Sequence, residues 1–146
     1  DVTHLKFERR GMLHCRIELP AGLAVHCVCV HLSLFGYSRR KQMAALAEYL
    51  DQLAEPNAPL IVAGDFNDWR NRAGENLSQR LGLQEVFSGP SGKPVCSFPA
   101  ARPMFRLDRI YVRGFDVRRT EVHHGMPWSA ISDHAALSAH LTRHGR

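Results

Sequence analysis

No apolar run in this sequence of 146 residues is long enough to cross a bilayer. The longest, near Ala24 to Leu34, is short and interrupted, whereas a spanning helix needs about 20 apolar residues in succession. No signal-peptide pattern opens the chain, so the expectation is a protein with no transmembrane segment and with the cytoplasm as the favoured location. Cysteine is scarce. Cys15, Cys27, Cys29 and Cys96 lack the spacing of a disulfide framework, which excludes a small stapled scaffold and predicts buried free thiols. Cys27 and Cys29 share strand parity with His31, so a Cys/Cys/His zinc site is the alternative, although no convincing fourth ligand lies nearby in sequence. Internal repeats, low-complexity segments and long basic blocks are also missing, which leaves one globular domain as the expected organisation.

What is present supports a packed core, because 45% of the residues are hydrophobic. A net charge of +5, with a pI near 9.4, favours polyanionic partners such as nucleic acid or phosphorylated ligands. The organising stretch is Leu60-Ile61-Val62-Ala63-Gly64-Asp65-Phe66-Asn67-Asp68-Trp69. Four apolar residues read as a buried strand, Gly64 permits a tight exit, and Asp65 and Asn67 share strand parity, so a carboxylate and a carboxamide converge. Such a pair suits a metal, a water or a phosphate. A strand ending in an ordinary Asx turn gives the same pattern.

Around it, Leu5 to Leu19 and Leu23 to Leu32 read as strands joined by a turn at Pro20-Ala21-Gly22, a hairpin whose second strand ends near His31. The alternation along that strand suggests that both of its faces are covered. Ser38 is the expected N-cap of a helix from Arg39 to about Glu55, with Met43, Leu46, Ala47, Leu50 and Leu53 as its apolar stripe. Pro56-Asn57-Ala58-Pro59 stops it before the central strand. Strand, helix, strand is a βαβ crossover, which brings His31 and Asp65 to the same end of one sheet. A short helix over Asn71 to Leu81, closed by Gly82, follows, and then a loop from Ser88 to Pro103. In that loop Ser97-Phe98-Pro99 either presents an aromatic to a substrate or packs as ordinary loop.

Met104 to Arg113 reads as a strand that contains Asp108, a carboxylate that is costly among apolar neighbours unless it is paired or lies at an exposed edge. Phe115 to His123 forms the next strand after a turn at Gly114. Arg113, Arg118 and Arg119 would meet a phosphate backbone or simply face solvent, and Arg39-Arg40-Lys41 offers a second basic cluster. Ser132-Asp133-His134 enters a last strand running from Ile131 to Leu141. These three cannot form a hydrolase triad among themselves, since neighbours on an extended chain point to opposite faces.

Taken in order, His31-Leu32 after a buried strand, Gly64-Asp65-Phe66-Asn67 after the next, Leu107-Asp108-Arg109-Ile110 in a late strand and Ser132-Asp133-His134 before the last resemble the endonuclease/exonuclease/phosphatase superfamily, the DNase I-like fold. The resemblance implies an α/β protein, part of a four-layered α/β sandwich: one mixed β-sheet with flanking helices, with the amino-terminal part of the fold missing. Residues 1–146 would be a single partial domain, the carboxyl-terminal portion. It further implies a metal-dependent phosphohydrolase that cleaves phosphodiester bonds by in-line attack of an activated water, with nucleic acid slightly favoured as substrate. The fragment by itself would be inactive, because the family's metal-binding Glu has no counterpart. The alternatives are a phospholipid or sugar-phosphate phosphatase of the same superfamily, or a non-catalytic binding or assembly module that keeps the fold.

By the same resemblance His31 contacts the phosphate and serves as general acid, and Asp65 orients or deprotonates the attacking water. Asn67 steadies phosphate and nucleophile, Asp108 holds His134 in its tautomer, and His134 stabilises the developing charge. Asp133 and Asp65 are the implied ligands of Mg²⁺ or Mn²⁺, a hard ion suited to oxygen donors. A missing second sheet would leave Cys27, Cys29, Ile61, Ala63, Ile110 and Val112 on an open apolar face, which predicts a homodimer.

Overall fold

The structure, a computed structural model, describes residues 10–20, 23–53, 58–70, 73–88 and 95–144. Strands β1 (Gly11–Leu19) and β2 (Leu23–His31) pair antiparallel. Helix α1 (Gly36–Leu53) then crosses over to β3 (Leu60–Asp65), which pairs parallel to β2. Helix α2 (Ala73–Leu81) and the two-residue β4 (Gln84–Glu85) lead to β5 (Asp108–Arg113), which is antiparallel to both β3 and β4. The five strands form one mixed sheet in the order β1-β2-β3-β5-β4. A second, two-stranded sheet pairs β6 (Phe115–His123) with β7 (Ala136–Arg143).

The period-two pattern separates the faces of the five-stranded sheet. Val28, Val30, Leu60, Val62 and Tyr111 point to one side, where Met43, Leu46 and Leu50 of α1 and Leu77 and Leu81 of α2 complete a core. The other side meets the β6–β7 ribbon, where Val25 and Val112 are buried against Phe115, Val117, Val122, Leu137 and Leu141. Among the described residues this gives helices, mixed sheet and second sheet as three layers. Gly64 is required by the β2–β3 approach: its φ is +137°, and a Cβ there would lie 2.0 Å from the Val30 carbonyl oxygen. No helix among the described residues is long and apolar enough to cross a membrane.

The α/β class, the hairpin, the crossover and the Gly82 stop are as the sequence leads one to expect; several boundaries differ. Residues 5–9 of the expected first strand, the Ala21-Gly22 turn, Pro56-Asn57, Asn71 and residues 89–94 lie outside the described residues. Helix α1 begins at Gly36, so Ser38 is buried in its first turn and is not a cap; Ser33 takes the local role, its hydroxyl accepting the Phe35 N–H at 3.2 Å. The strand expected from Met104 is regular only from Asp108. Before that point Phe105 pairs with Phe98 in an isolated bridge, so the chain folds back on its own loop.

The open face is a further correction. Val112 is 1% exposed and Cys27, Ile61, Ala63 and Ile110 are half-buried, because β6–β7 lies over them. Of that set Cys29 alone is exposed. The uncovered part has moved to the β1 edge, where Leu13 is 65% and Ile17 48% exposed. The thiols are free but not buried as expected: Cys15 and Cys29 are exposed, Cys27 and Cys96 intermediate.

Candidate active site

Register alone assembles the first part of the site. His31 stands opposite Asp65, and Asp65 opposite Asp108, so three side chains from β2, β3 and β5 sit in a row at one end of the sheet. Their parity places them on the face toward the second sheet, not toward the helices. His31 Nε2 lies 3.4 Å from Asp65 Oδ2, and the Arg10 guanidinium contacts the same imidazole from the start of β1.

Asp65 and Asn67 do come together, although not as neighbours on a strand. The strand ends at Asp65 and Asn67 adopts φ +47°, a left-handed conformation that asparagine tolerates better than most residues. Its backbone N–H donates to Asp65 Oδ1 at 2.8 Å, while its side-chain amide donates to Asp65 Oδ2 at 3.0 Å and to the Leu32 carbonyl at 2.9 Å. Both amide hydrogens therefore hold Asp65 and the β2 exit. Burial pushes the Asp65 carboxyl above the usual carboxylate range. The Asn67 hydrogen bond opposes that shift, the nearby Asp108 charge adds to it, and His134 and His31 pull it back down.

His134 completes the constellation from the other sheet. Its Nδ1–H donates to Asp108 Oδ2 at 2.6 Å, which gives the costly strand carboxylate its partner and leaves Nε2 as the nitrogen for chemistry. Partial burial alone would lower the pKa of this imidazole, but the Asp108 hydrogen bond and the charges of Asp108, Asp65 and Asp133 outweigh it, and the net shift is upward. Asp133 itself is exposed at the rim.

Three supporting features have little local signal in sequence. Ser97 is fully buried: its hydroxyl accepts the Asp108 N–H at 3.0 Å and its carbonyl accepts the Ala135 N–H at 2.6 Å, so one residue joins both halves of the Asp108–His134 pair. Phe98 follows, its ring 5.0 Å from that of His134, with Trp69 and Phe105 each 6.5 Å from Phe98 and 4.8 Å from one another. The Ser97-Phe98-Pro99 triplet was the only sequence hint of either. Arg109, 2% exposed, reaches from β5 to the loop after β3 and donates to the Asp68 carbonyl at 3.1 Å, with the Asp68 carboxylate at 3.5 Å. On the far side Arg39 donates to the Ser33 and Leu34 carbonyls and the Ser33 N–H donates to Gln42 Oε1, which fixes the loop after His31.

The cationic candidates divide. Arg113 donates to the Ala58 and Leu81 carbonyls, Arg118 pairs with Asp116 and Arg119 with Glu121, so these three serve the fold or its surface. Arg40 and Lys41 stay exposed beside the site. For a divalent ion, Asp65 and Asp133, whose charges both act on His134, offer hard oxygen donors, and Mg²⁺ accepts sites with only one or two carboxylates, completed by water. Among the described residues no group of three or more His, Cys, Asp or Glu side chains is arranged around one point.

Comparison with known proteins agrees with the geometry. Residues 2–134 match the model of the Endonuclease/Exonuclease/phosphatase family. YbhP of Escherichia coli K12, an uncharacterised protein, is 44% identical over 142 residues, covering 97% of this chain and 56% of YbhP, so the chain spans about half the length of such relatives. Among solved structures, the endonuclease/exonuclease/phosphatase from Bacteroides vulgatus superposes with a TM-score of 0.77 at 20% identity, covering 92% of this chain and 56% of that one. The catalytic domain of human Nocturnin, solved with a bound sulfate anion, gives 0.75 at 21% identity, covering 92% and 53%. With four motifs brought to one end of a matching fold, the chain belongs to the endonuclease/exonuclease/phosphatase family.

Proposed function

We propose that this chain carries the greater part of the catalytic constellation of a phosphohydrolase, cleaving phosphodiester bonds by in-line attack of water. The observation that carries the reading is the 2.6 Å Asp108–His134 pair set beside the Asn67-clamped Asp65. In-line displacement needs an activated water, donors for the nonbridging oxygens and a proton for the leaving oxygen. Asp65 is fixed at both oxygens and orients the water and takes its proton. Asn67 steadies the nucleophile by holding Asp65.

His134, kept cationic to higher pH than a free imidazole, donates from Nε2 to a nonbridging oxygen, and Asp108 fixes its tautomer. His31, at the exposed end of the row, contacts the phosphate and supplies the leaving-group proton. Mg²⁺ or Mn²⁺, held by Asp133 and Asp65 with water, would supply further charge neutralisation when bound. The rings of Phe98, Phe105 and Trp69 receive the organic side of the ester. The overall positive charge supports an anionic substrate, and nucleic acid and phospholipid both satisfy that requirement.

The test is hydrolysis of a soluble aryl phosphodiester with Mg²⁺ by this chain within a polypeptide of its relatives' full length, since the 146 residues alone are expected to be inactive. His134→Ala is expected to lower the rate by about 10² to 10³, the usual cost of losing one transition-state donor. Near-normal turnover by that variant would overturn the reading.

A further inference from the structure

Nearly all the large hydrophobic side chains left exposed among the described residues stand at one end of the molecule. Leu13 and Ile17 are the exceptions, on β1. The others lie in the loop after β2 and the first turn of α1, the loop after β3, the segment leading into β5 and the loop before β7. Register and hydrogen bonds bring these segments together. β2 and β3 run parallel, so both end here, and β5 runs antiparallel to β3 and therefore starts here. The last loop is tied in by the Ala100 N–H to the Asp133 carbonyl and the Ala135 N–H to the Ser97 carbonyl.

The result is an apolar collar around His31, Asp65 and His134. Its most prominent members are Ile131 at 76% exposure and Met126 at 78%, and the same end carries exposed Trp128, Phe35, Tyr37 and Trp69. Exposed apolar area of this extent, concentrated at one end, marks a surface that meets something apolar.

The charges in the same segments have one sign outside the catalytic row. Arg40, Lys41, Arg70 and Arg102 are exposed, and Lys41 lies 4.6 Å from the centre of the Tyr37 ring. Among the described residues of these segments the one exposed carboxylate is Asp133, beside His134. Aliphatic side chains that project, aromatic rings with polar edges and a margin of Lys and Arg are the composition that seats a protein in the headgroup region of an anionic bilayer.

A single-stranded nucleic acid calls instead for rings that bases stack on along a basic groove. The two most exposed members here, Met126 and Ile131, offer no ring face. We infer that this collar is a docking surface for an anionic phospholipid membrane, with the catalytic end of the sandwich turned toward the lipid.

The experiment is co-sedimentation of the chain with vesicles of phosphatidylcholine alone and of equimolar phosphatidylcholine and phosphatidylglycerol, with a single-stranded oligonucleotide as competitor. Binding to the anionic vesicles is expected to exceed that to neutral ones by about tenfold or more and to fall with salt. The double variant M126D/I131D, altered only at exposed positions, is expected to lose about tenfold or more of that binding, with its thermal unfolding unchanged. Equal binding to both vesicle types, wild-type partition by the double variant, or displacement from vesicles by the oligonucleotide would each overturn the inference. Because binding is the readout, the outcome is independent of whether the chain hydrolyses phosphodiesters.

Discussion

His134 is held on both sides of its ring, by Asp108 at Nδ1 and by Phe98 at 5.0 Å, and the two neighbours have different consequences. The aromatic contact limits where the ring can turn, while the carboxylate sets when it is charged. In the proposed mechanism Asp65 is the base, and with its carboxyl pushed above the ordinary 3.8 the acid limb of activity is expected above that value, the rate rising with pH through it. In the same mechanism His134 works as the cation, and with its pKa pushed above 6.5 the rate is expected to fall only as pH passes that raised value. Asp108→Asn removes the largest upward influence on His134, and the partial burial that remains works downward, so the alkaline limb moves to lower pH; the acid limb also loses the upward push of the Asp108 charge on Asp65. A pH–rate profile of kcat for the two proteins checks this, and an unmoved alkaline limb would remove Asp108 from its role. Stability follows the same sign: the favourable contribution of cationic His134 is complete below 6.5 and is lost as pH rises through the folded value.

At the scale of elements, the loop after β3 depends on a contact made from β5. Arg109 and Asp68 are a buried ion pair, with side chains 2% and 4% exposed, and Arg109 also donates to Tyr111 Oη at 3.3 Å. Such pairs return little net stability relative to apolar substitutes, yet breaking one by removing a single partner leaves a stranded charge that costs about 3–5 kcal/mol. Arg109→Met is therefore expected to lower the unfolding free energy by that amount, and R109M/D68L to regain much of it. Urea unfolding of the four proteins of the cycle measures both, and an R109M midpoint equal to wild type would show that the loop is held by other means.

The same contact marks the limit of what periodicity reveals. The crossover β2–α1–β3 was readable because strand and helix periods and the Pro56 stop are local, and the crossover rule then carried His31 and Asp65 to one end. Asp108 as a costly carboxylate was readable too; its partner, 26 residues away, came from the family resemblance. Arg109 and Asp68 are 41 residues apart, and nothing in Leu107-Asp108-Arg109-Ile110 distinguishes a buried guanidinium from a surface one. Ser97 likewise looked like loop, because a hydroxyl that accepts two backbone N–H groups leaves no pattern in the residues around it. The pairing of β6 with β7 over the sheet was not anticipated, and together with Val86 and Phe87 it explains why Val112 is buried instead of open.

For the whole molecule, the second sheet is too narrow for the first. Among the described residues two strands lie over the β3–β5 side, while Leu13, Ile17, Cys15 and Cys29 stay exposed on the β1–β2 side, and β1 is the edge strand of the five-stranded sheet. An apolar edge strand is a template for association, and the charges of Arg16 and Glu18 are spent on one another along the strand. Tyr49 donates to His14 Nδ1 at 3.1 Å, and His14 lies 3.1 Å from His26, which holds the hairpin to α1 and keeps the opposite, apolar face outward. Relatives of about twice this length have further chain available to cover such a face. The 146 residues by themselves are expected to self-associate through β1 and β2 as a dimer at micromolar concentration, and L13K/I17K to shift that equilibrium to monomer without loss of folding. Sedimentation equilibrium decides it: a monodisperse wild-type monomer, or a double variant that remains dimeric, would mean that this edge is not where chains meet.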